Sequence, residues 1–176
     1  MENSLKSIAT NYGFYLGALL ALLTVISYAV NLELLTNMWY GIFIMVAIIG
    51  LGIVSVATVK KAQNGFVSFK EAFTSYFITV LIGLVISTLV SYFLFNVIDT
   101  EAAAVLKEKT IETTVQMMEN FHAPSEAVAE AVKEIESQNQ FAIGSILKGL
   151  AGYLVFFSVI GLIVAAAMKK NNPDTE

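Results

Sequence analysis

The sequence contains no cysteine and no arginine, and charged residues make up only 14% of its 176 positions. Without cysteine, the chain can form neither disulfides nor thiolate metal sites. Without arginine, it lacks the side chain best suited to bidentate phosphate recognition. Its net charge of −4 would also repel a polyanion. We therefore expect no nucleic acid among its partners.

Ionisable residues are also missing from the cores of four long apolar runs. A helix that crosses a hydrocarbon core of about 30 Å needs roughly 20 apolar residues. Runs of that length predict four transmembrane helices, which lie at about 9–31, 38–60, 69–98 and 145–169. The first run is too long for the apolar region of a signal peptide, so we expect an uncleaved span. The prediction is a single membrane domain over 1–176, an all-α bundle of four transmembrane helices with the lipid bilayer around it.

The start of the third span carries two local signals. Asn64 and Gly65 form a dipeptide typical of turns. Ser68 and Glu71 fit the capping box S-x-x-E, in which two side chains satisfy free backbone donors at the start of a helix. Four phenylalanines then fall close to one helical face: Phe66, Phe69, Phe73 and Phe77. They are typical either of a wedge in the headgroup region or of ordinary packing against other spans.

The segment at about 100–142 differs from the rest of the chain. Nine acidic residues and four lysines lie between Asp99 and Lys148. Helical spacing predicts two apolar stripes, Ala104, Ile111, Val115 and Met118 on one helix and Val128, Ala131, Val132 and Ile135 on another. Pro124 and Ser125 suit the turn between them. We therefore predict an amphipathic helical hairpin outside the bilayer, with flanks such as Leu106, Met117 and Phe121 left partly open. The tail at 171–176 is predicted to be disordered.

The lysines predict the orientation, because cytoplasmic loops collect positive residues. One side of a four-span chain holds six clustered lysines, Lys6, Lys60, Lys61, Lys70, Lys169 and Lys170. The other side holds four that are dispersed through the long acidic segment. This distribution favours a cytoplasmic N-terminus and a cytoplasmic C-terminus, so the hairpin would be extracytoplasmic.

Little in the sequence indicates chemistry. Ionisable residues inside the membrane usually mark transporters and pumps, and the apolar cores have none. The only histidine, His122, could meet Glu119 or Glu126, but one imidazole with scattered carboxylates makes a poor metal site. Nucleotide-binding and hydrolase motifs are missing. We therefore predict no catalytic, cofactor-binding or metal site, and a protein that is not an enzyme.

The spans do contain hydroxyls and small residues. The hydroxyls are Thr24, Ser27, Ser55, Thr58, Thr79, Ser87, Thr88, Ser91 and Ser158, and most are expected to bond a carbonyl of their own helix. Small residues recur at four-residue spacing in Gly13, Gly17 and Ala21, in Gly83, Ser87 and Ser91, in Ser145 and Gly149, and in Gly161 and Ala165. Such rows favour close helix packing, within the chain or between two copies. Gly50 and Gly52 fit either close packing or a broken helix of the transporter type.

Three segments resemble small bacterial membrane proteins of the domain-of-unknown-function 4199 family. They are residues 65–73, residues 95–99 and residues 123–128. After the second segment, Thr100 stands where the family tends to have a proline. The resemblance implies four spans and a location in the bacterial inner membrane. The family has no established activity, so no functional residue carries over.

Two functions stay open from the sequence. One is a non-catalytic scaffold or accessory subunit, whose acidic hairpin binds another protein or a second copy. The alternative is a small permeation or lipid-handling protein in which the bundle is the working part. The first is favoured because intramembrane charge is missing and the apolar stripes of the hairpin need cover.

Overall fold

The computed structural model describes residues 2–170, and this part of the chain forms six α-helices. They are α1 (Glu2–Val30), α2 (Met38–Ala62), α3 (Phe69–Phe93), α4 (Thr100–Asn120), α5 (Ser125–Ser137) and α6 (Ile143–Met168). A 3-10 helix, Leu32–Thr36, joins α1 to α2, and a π-helix, Leu94–Ile98, extends α3. The tail predicted to be disordered lies outside the described residues.

Four of these helical segments are long and apolar enough to cross a membrane: Ser4–Val30, Met38–Ala62, Phe69–Ile98 and Ile143–Met168. The prediction of an all-helical chain with four such helices is confirmed. The chain is a multi-pass membrane protein.

Small residues bring α1 and α3 together as parallel neighbours. Gly13 lies against Ile82, and Gly17 lies one turn further along against Ile86. A Cβ atom added to Gly17 would lie 2.6 Å from Ile86 Cδ1 and 2.8 Å from its Cβ. From the other side, Gly83 accommodates Leu16. Close packing is therefore confirmed for these glycines, and it occurs within one chain.

A second close approach surrounds Tyr76 on α3. Its ring lies between Gly52 of α2 and Gly161 of α6, and a Cβ at either glycine would lie within 2.6 Å of a ring carbon. Helix α2 runs without interruption through Gly50 and Gly52, so a broken helix at this pair was the wrong interpretation. Glycine at position 52 leaves room for the aromatic ring of Tyr76, which packs on it.

The capping box at the start of α3 is confirmed. The amide N–H of Ser68 donates to Glu71 Oε2 at 2.9 Å, and the amide N–H of Glu71 donates to Ser68 Oγ at 3.3 Å. Asn64 and Gly65 precede it with φ angles of 57° and 88°, in the left-handed region that a tight turn requires. We refer to this part of the molecule as the Ser68 end.

The Ser68 end also holds the end of α6. Lys60 Nζ donates to the carbonyl of Met168 at 2.8 Å, and Val67 pairs with Lys170 through backbone hydrogen bonds of 2.9 and 2.8 Å. The Lys170 ammonium lies 5.2 Å from the centre of the Phe66 ring. Farther along the phenylalanine stripe, Phe73 stacks on Phe77 and packs against the core.

The opposite end of the bundle, which we call the Asp99 end, has its own apolar cluster. Leu94 and Phe95 of the π-helix pack with Ala102 and Leu106 of α4. The predicted stripe was therefore wrong at Ala104, which is exposed, and at Leu106, which was expected to be partly open. The first turns of α4 face the end of the bundle, so another set of positions is buried there.

Beyond these turns, α4 extends past the end of the bundle, and α5 runs back alongside α4. The predicted apolar residues Ile111, Val115 and Met118 and those of α5 are partly buried. Among the described elements, α5 contacts α4 alone. Near the turn that joins the two helices, Met117 is 45% exposed and Phe121 is 78% exposed. Both were expected to be open.

Candidate functional site

Three buried hydroxyls link α1, α2 and α3 inside the bundle. Ser55 Oγ of α2 lies 2.9 Å from Ser75 Oγ and 2.8 Å from Thr79 Oγ1, both of α3. Thr79 Oγ1 also donates to the carbonyl of Ala9 on α1 at 3.1 Å. Each of the three side chains is completely buried. We call Ser55, Ser75 and Thr79 the hydroxyl network.

Proton counting limits how the three hydroxyls can be arranged. Each hydroxyl carries one proton, and a carbonyl can only accept. Thr79 Oγ1 is the donor to both Ser55 Oγ and the carbonyl of Ala9, so its single proton is shared between two acceptors. Ser55 and Ser75 can each donate to the other, and the network joins three helices.

The sequence-based expectation for the hydroxyls was right in part. Thr24 and Ser158 bond carbonyls of their own helices, as expected. Ser55 and Thr79 instead bond across helices, and Ser27 donates to Tyr40 Oη at 2.7 Å. Ser75 was missed, although its four-residue spacing from Thr79 places both on one face of α3. That spacing was the signal that could have identified it.

The network is suited to holding helices together. Within residues 2–170, no carboxylate, lysine or histidine takes part in it. A nucleophilic hydroxyl needs an adjacent base to activate it. Tyr76 Oη, on the residue next to Ser75, is buried and has no hydrogen-bond partner among the described residues.

We expect Thr79→Val to destabilise the bundle by about 0.6–2 kcal/mol. The substitution preserves shape but removes the bond to α1 and leaves Ser55 without one partner; interhelical hydrogen bonds in membranes fall in this range. The measurement is reversible unfolding in mixed micelles. Thr24→Val is the control, since its hydroxyl bonds only Leu20 of its own helix. Equal stability of the two variants would show that the network contributes nothing.

A polar cluster at the Asp99 end joins α1 to the start of α4. Tyr28 Oη donates to Asp99 Oδ2 at 2.7 Å, and the amide of Ala102 donates to Asp99 Oδ1 at 2.9 Å. The Ala102 amide, followed by the Tyr28 hydroxyl, holds the pKa of Asp99 below its ordinary value because both bonds favour the carboxylate. Asp99 thereby caps α4 and fixes its first turn on α1.

A separate ion-pair network on the surface joins α4 to the 3-10 helix. Lys109 Nζ of α4 lies 2.9 Å from Glu112 and 3.1 Å from Glu33 in the 3-10 helix. Glu112 and then Glu33 raise the pKa of Lys109 to about 12. Both carboxylates are exposed and Lys109 is partly exposed, so the network orients α4 more than it stabilises the fold.

The residues weighed as possible metal ligands in the sequence were His122 and the neighbouring acidic residues. His122 lies in the turn between α4 and α5, where it is exposed and has a φ of 56°. In the part of the chain that the structure describes, no group of three or more His, Cys, Asp and Glu side chains is arranged to hold a metal ion.

Comparisons with known proteins identify the family alone. No curated protein and no solved structure matches the chain. The family model described as "Protein of unknown function (DUF4199)" matches residues 11–170. The match covers the bundle, the Asp99 end and the α4–α5 segment together, and it agrees with the resemblance noted in the sequence. The chain belongs to the DUF4199 family of proteins of unknown function.

Proposed function

We propose that the chain is a non-catalytic scaffold or accessory subunit of the bacterial inner membrane. Its four helices anchor the α4–α5 segment as a hairpin outside the membrane, where the tip binds another protein or a second copy. One observation supports this proposal above the others. Phe121 is 78% exposed beside Met117, at the far end of a segment whose second helix, α5, contacts only α4 among the described elements.

Exposure of this kind favours a binding surface for a physical reason. A 13-residue helix is marginal by itself in water and depends on packing of its apolar face. The turn sets an aromatic ring and a methionine outside the contact between the two helices. Aromatic residues and methionine are enriched at protein interfaces. The acidic side chains of the α4–α5 segment would keep it soluble.

The alternative, a small permeation or lipid-handling protein whose bundle is the working part, has less support. Large side chains such as Leu16, Val56 and Tyr76 fill the centre of the bundle and are at most 1% exposed. The hydroxyl network is used to join helices. Ionisable residues, which many transporters need, are missing from the apolar cores.

The orientation that we propose has both termini in the cytoplasm. A cysteine replacing Asn64 at the Ser68 end should resist an impermeant thiol reagent in intact cells. A cysteine replacing His122 should react, because it would lie outside. The parent chain has no cysteine and gives no background. The opposite labelling pattern would show that both termini lie outside the cytoplasm.

Photo-crosslinking tests the binding surface itself. A photoreactive residue at Met117 should yield a discrete adduct in intact cells that express the chain at its native level. Phe121→Ser should remove most of that adduct, because the exposed ring beside Met117 would be lost. Glu130, exposed on α5 away from the tip, is the control position. An adduct that persists in Phe121→Ser, or that forms equally from Glu130, would argue against a specific tip surface. The adduct mass separates a second copy from another protein.

A further inference from the structure

One surface of α6 points away from the bundle and leaves its glycines open. Gly144, Gly149 and Gly152 lie in the first half of the helix, and a Cβ atom at any of them would meet nothing within 4 Å. Gly161, in the second half, instead packs on Tyr76. Glycine on a membrane helix favours the close approach of another helix. No described helix makes that approach to the first half of α6, so this surface is open to a partner outside the chain.

Spacing places two of these glycines in one row with other side chains. The row is Ser145, Gly149, Gly152 and Phe156, and we call it the α6 glycine face. Its members follow each other at intervals of four, three and four residues, which keeps them on one side of a helix. Leu150, Leu154 and Phe157 lie on the other side and pack in the core. The α6 glycine face therefore points toward the surroundings of the bundle.

Two polar side chains border the α6 glycine face. Lys148, which is exposed, lies on one side of the row, and Tyr153, which is 62% exposed, lies on the other. Neither the Lys148 ammonium nor the Tyr153 hydroxyl has a hydrogen-bond or ion-pair partner among residues 2–170. A polar group that faces hydrocarbon without a partner is costly. Both groups therefore favour a cover that offers more than acyl chains.

Contacts between α6 and the third span fix the depth of Lys148. The Phe141 ring lies 4.9 Å from the Phe95 ring, and Gly161 packs on Tyr76. These two contacts hold α6 antiparallel to the third span, and Lys148 lies between them, about two turns in from the Phe141 contact. The fourth candidate span includes this position. Lys148 therefore borders the uncharged core of that span from inside the apolar layer.

The charge of Lys148 indicates the chemistry of the partner. An ionisable residue inside the membrane usually pairs with another one and marks a functional surface. The group complementary to an ammonium is a carboxylate. A second copy of the chain would bring none to this depth, because the only acidic residue within the four candidate spans is Glu71, at the opposite, Ser68 end. A second copy would instead add another lysine.

We propose that the α6 glycine face binds a transmembrane helix of another protein, which places an aspartate or glutamate against Lys148. The glycines let the two helix backbones approach closely, and the Tyr153 hydroxyl is a donor for the same helix. This surface lies within the membrane and is separate from the tip of the α4–α5 segment. Crosslinking from the tip and from α6 can therefore succeed or fail independently.

Photo-crosslinking from within the face tests the proposal. Benzoylphenylalanine replaces Phe156 in the full chain, expressed at its native level in intact cells, and irradiation should give a discrete protein adduct. Lys148→Gln should lower the adduct yield about threefold or more, the effect of one polar contact between membrane helices. Lys148→Arg should retain the adduct, since the charge is kept. Gly152→Ile should remove it, because a bulky side chain would hold the two backbones apart.

Gly50→Ile is the matched control for Gly152→Ile. Gly50 lies on α2, where a Cβ atom also meets nothing within 4 Å, so this variant should crosslink like the parent chain. Resistance to alkaline extraction shows that each variant is inserted in the membrane. A charge swap then tests the pair itself. Lys148→Glu should lose the adduct and regain it when the carboxylate residue of the captured helix is replaced by lysine.

Several results would overturn the proposal. One is the absence of a protein adduct, with lipid adducts alone, which would mean that Lys148 only reaches headgroups. Another is an adduct whose mass equals two copies of the chain. The proposal also fails if Lys148→Gln crosslinks like the parent chain, if Gly50→Ile loses as much adduct as Gly152→Ile, or if the captured helix carries no carboxylate.

Discussion

Gly52→Ala should destabilise the bundle by about 1–3 kcal/mol, the usual range for overpacking a tight core. The added methyl group would lie 2.5 Å from Tyr76 Cε2 and 2.7 Å from Cδ2. The ring has little room to shift away, because Gly161 packs on its opposite edge, where an added Cβ would lie 2.6 Å from Tyr76 Cδ1. Either α2 or α6 must move outward, which loosens contacts along α3. Reversible unfolding in mixed micelles measures the loss.

Gly50→Ala is a control within the same helix. A Cβ at Gly50 would meet nothing within 4 Å. Alanine is also the better helix former by up to about 1 kcal/mol, so this variant should be neutral or slightly more stable. The two substitutions make the same chemical change two residues apart. The free energy of unfolding should fall in Gly52→Ala and stay the same or rise slightly in Gly50→Ala. If both variants lose equal stability, the effect comes from the helix backbone and the close approach to Tyr76 does not explain it.

The bundle could be predicted from the sequence because its signals are local. Four uncharged runs are enough to predict four spans, and glycines at four-residue spacing predict close helix approach. Which helix approaches which depends on the tertiary fold. Gly17 meets Ile86 on α3, a residue that no pattern within α1 could specify. The burial of Tyr76 between two glycines from different helices could not be predicted for the same reason.

The error at Ala104 has a clear physical cause. The stripe through Ile111, Val115 and Met118 faces α5, and extending it backwards by seven residues reaches Ala104. In the first two turns, however, the surface that covers α4 is the π-helix and the 3-10 helix, which lie in another direction. Ala102 and Leu106 face that surface and are buried instead. A periodic stripe predicts one covered face, and it fails where a helix changes its neighbour.

The π-helix was also beyond prediction. Its defining bond runs from the amide of Asp99 to the carbonyl of Leu94 at 2.9 Å, one residue wider than in an α-helix. No residue type at positions 94–98 predicts a π-helical turn. Its effect is nevertheless specific, since it brings Asp99 to Tyr28 and starts α4 over the end of the bundle.

Ile111→Asp combined with Val132→Asp should abolish complex formation through the α4–α5 segment. Both residues are partly buried, one on each helix. Carboxylates at these positions would either lose hydration or face each other as like charges, so the helices should separate. The exposed Phe121 would then no longer be held in place at the tip. Crosslinking from Met117 and co-purification with the captured partner are the measurements.

The control for this variant introduces the same two charges at exposed positions, Gln116→Asp with Ala129→Asp. It should leave the complex intact. In both double mutants the four spans should still insert, because insertion depends on the apolar runs. Resistance to alkaline extraction tests this. A broader version replaces residues 101–138 with a short flexible linker. If that deletion behaves like wild type under conditions where loss of the whole gene gives a phenotype, the bundle is the functional part and the scaffold proposal fails.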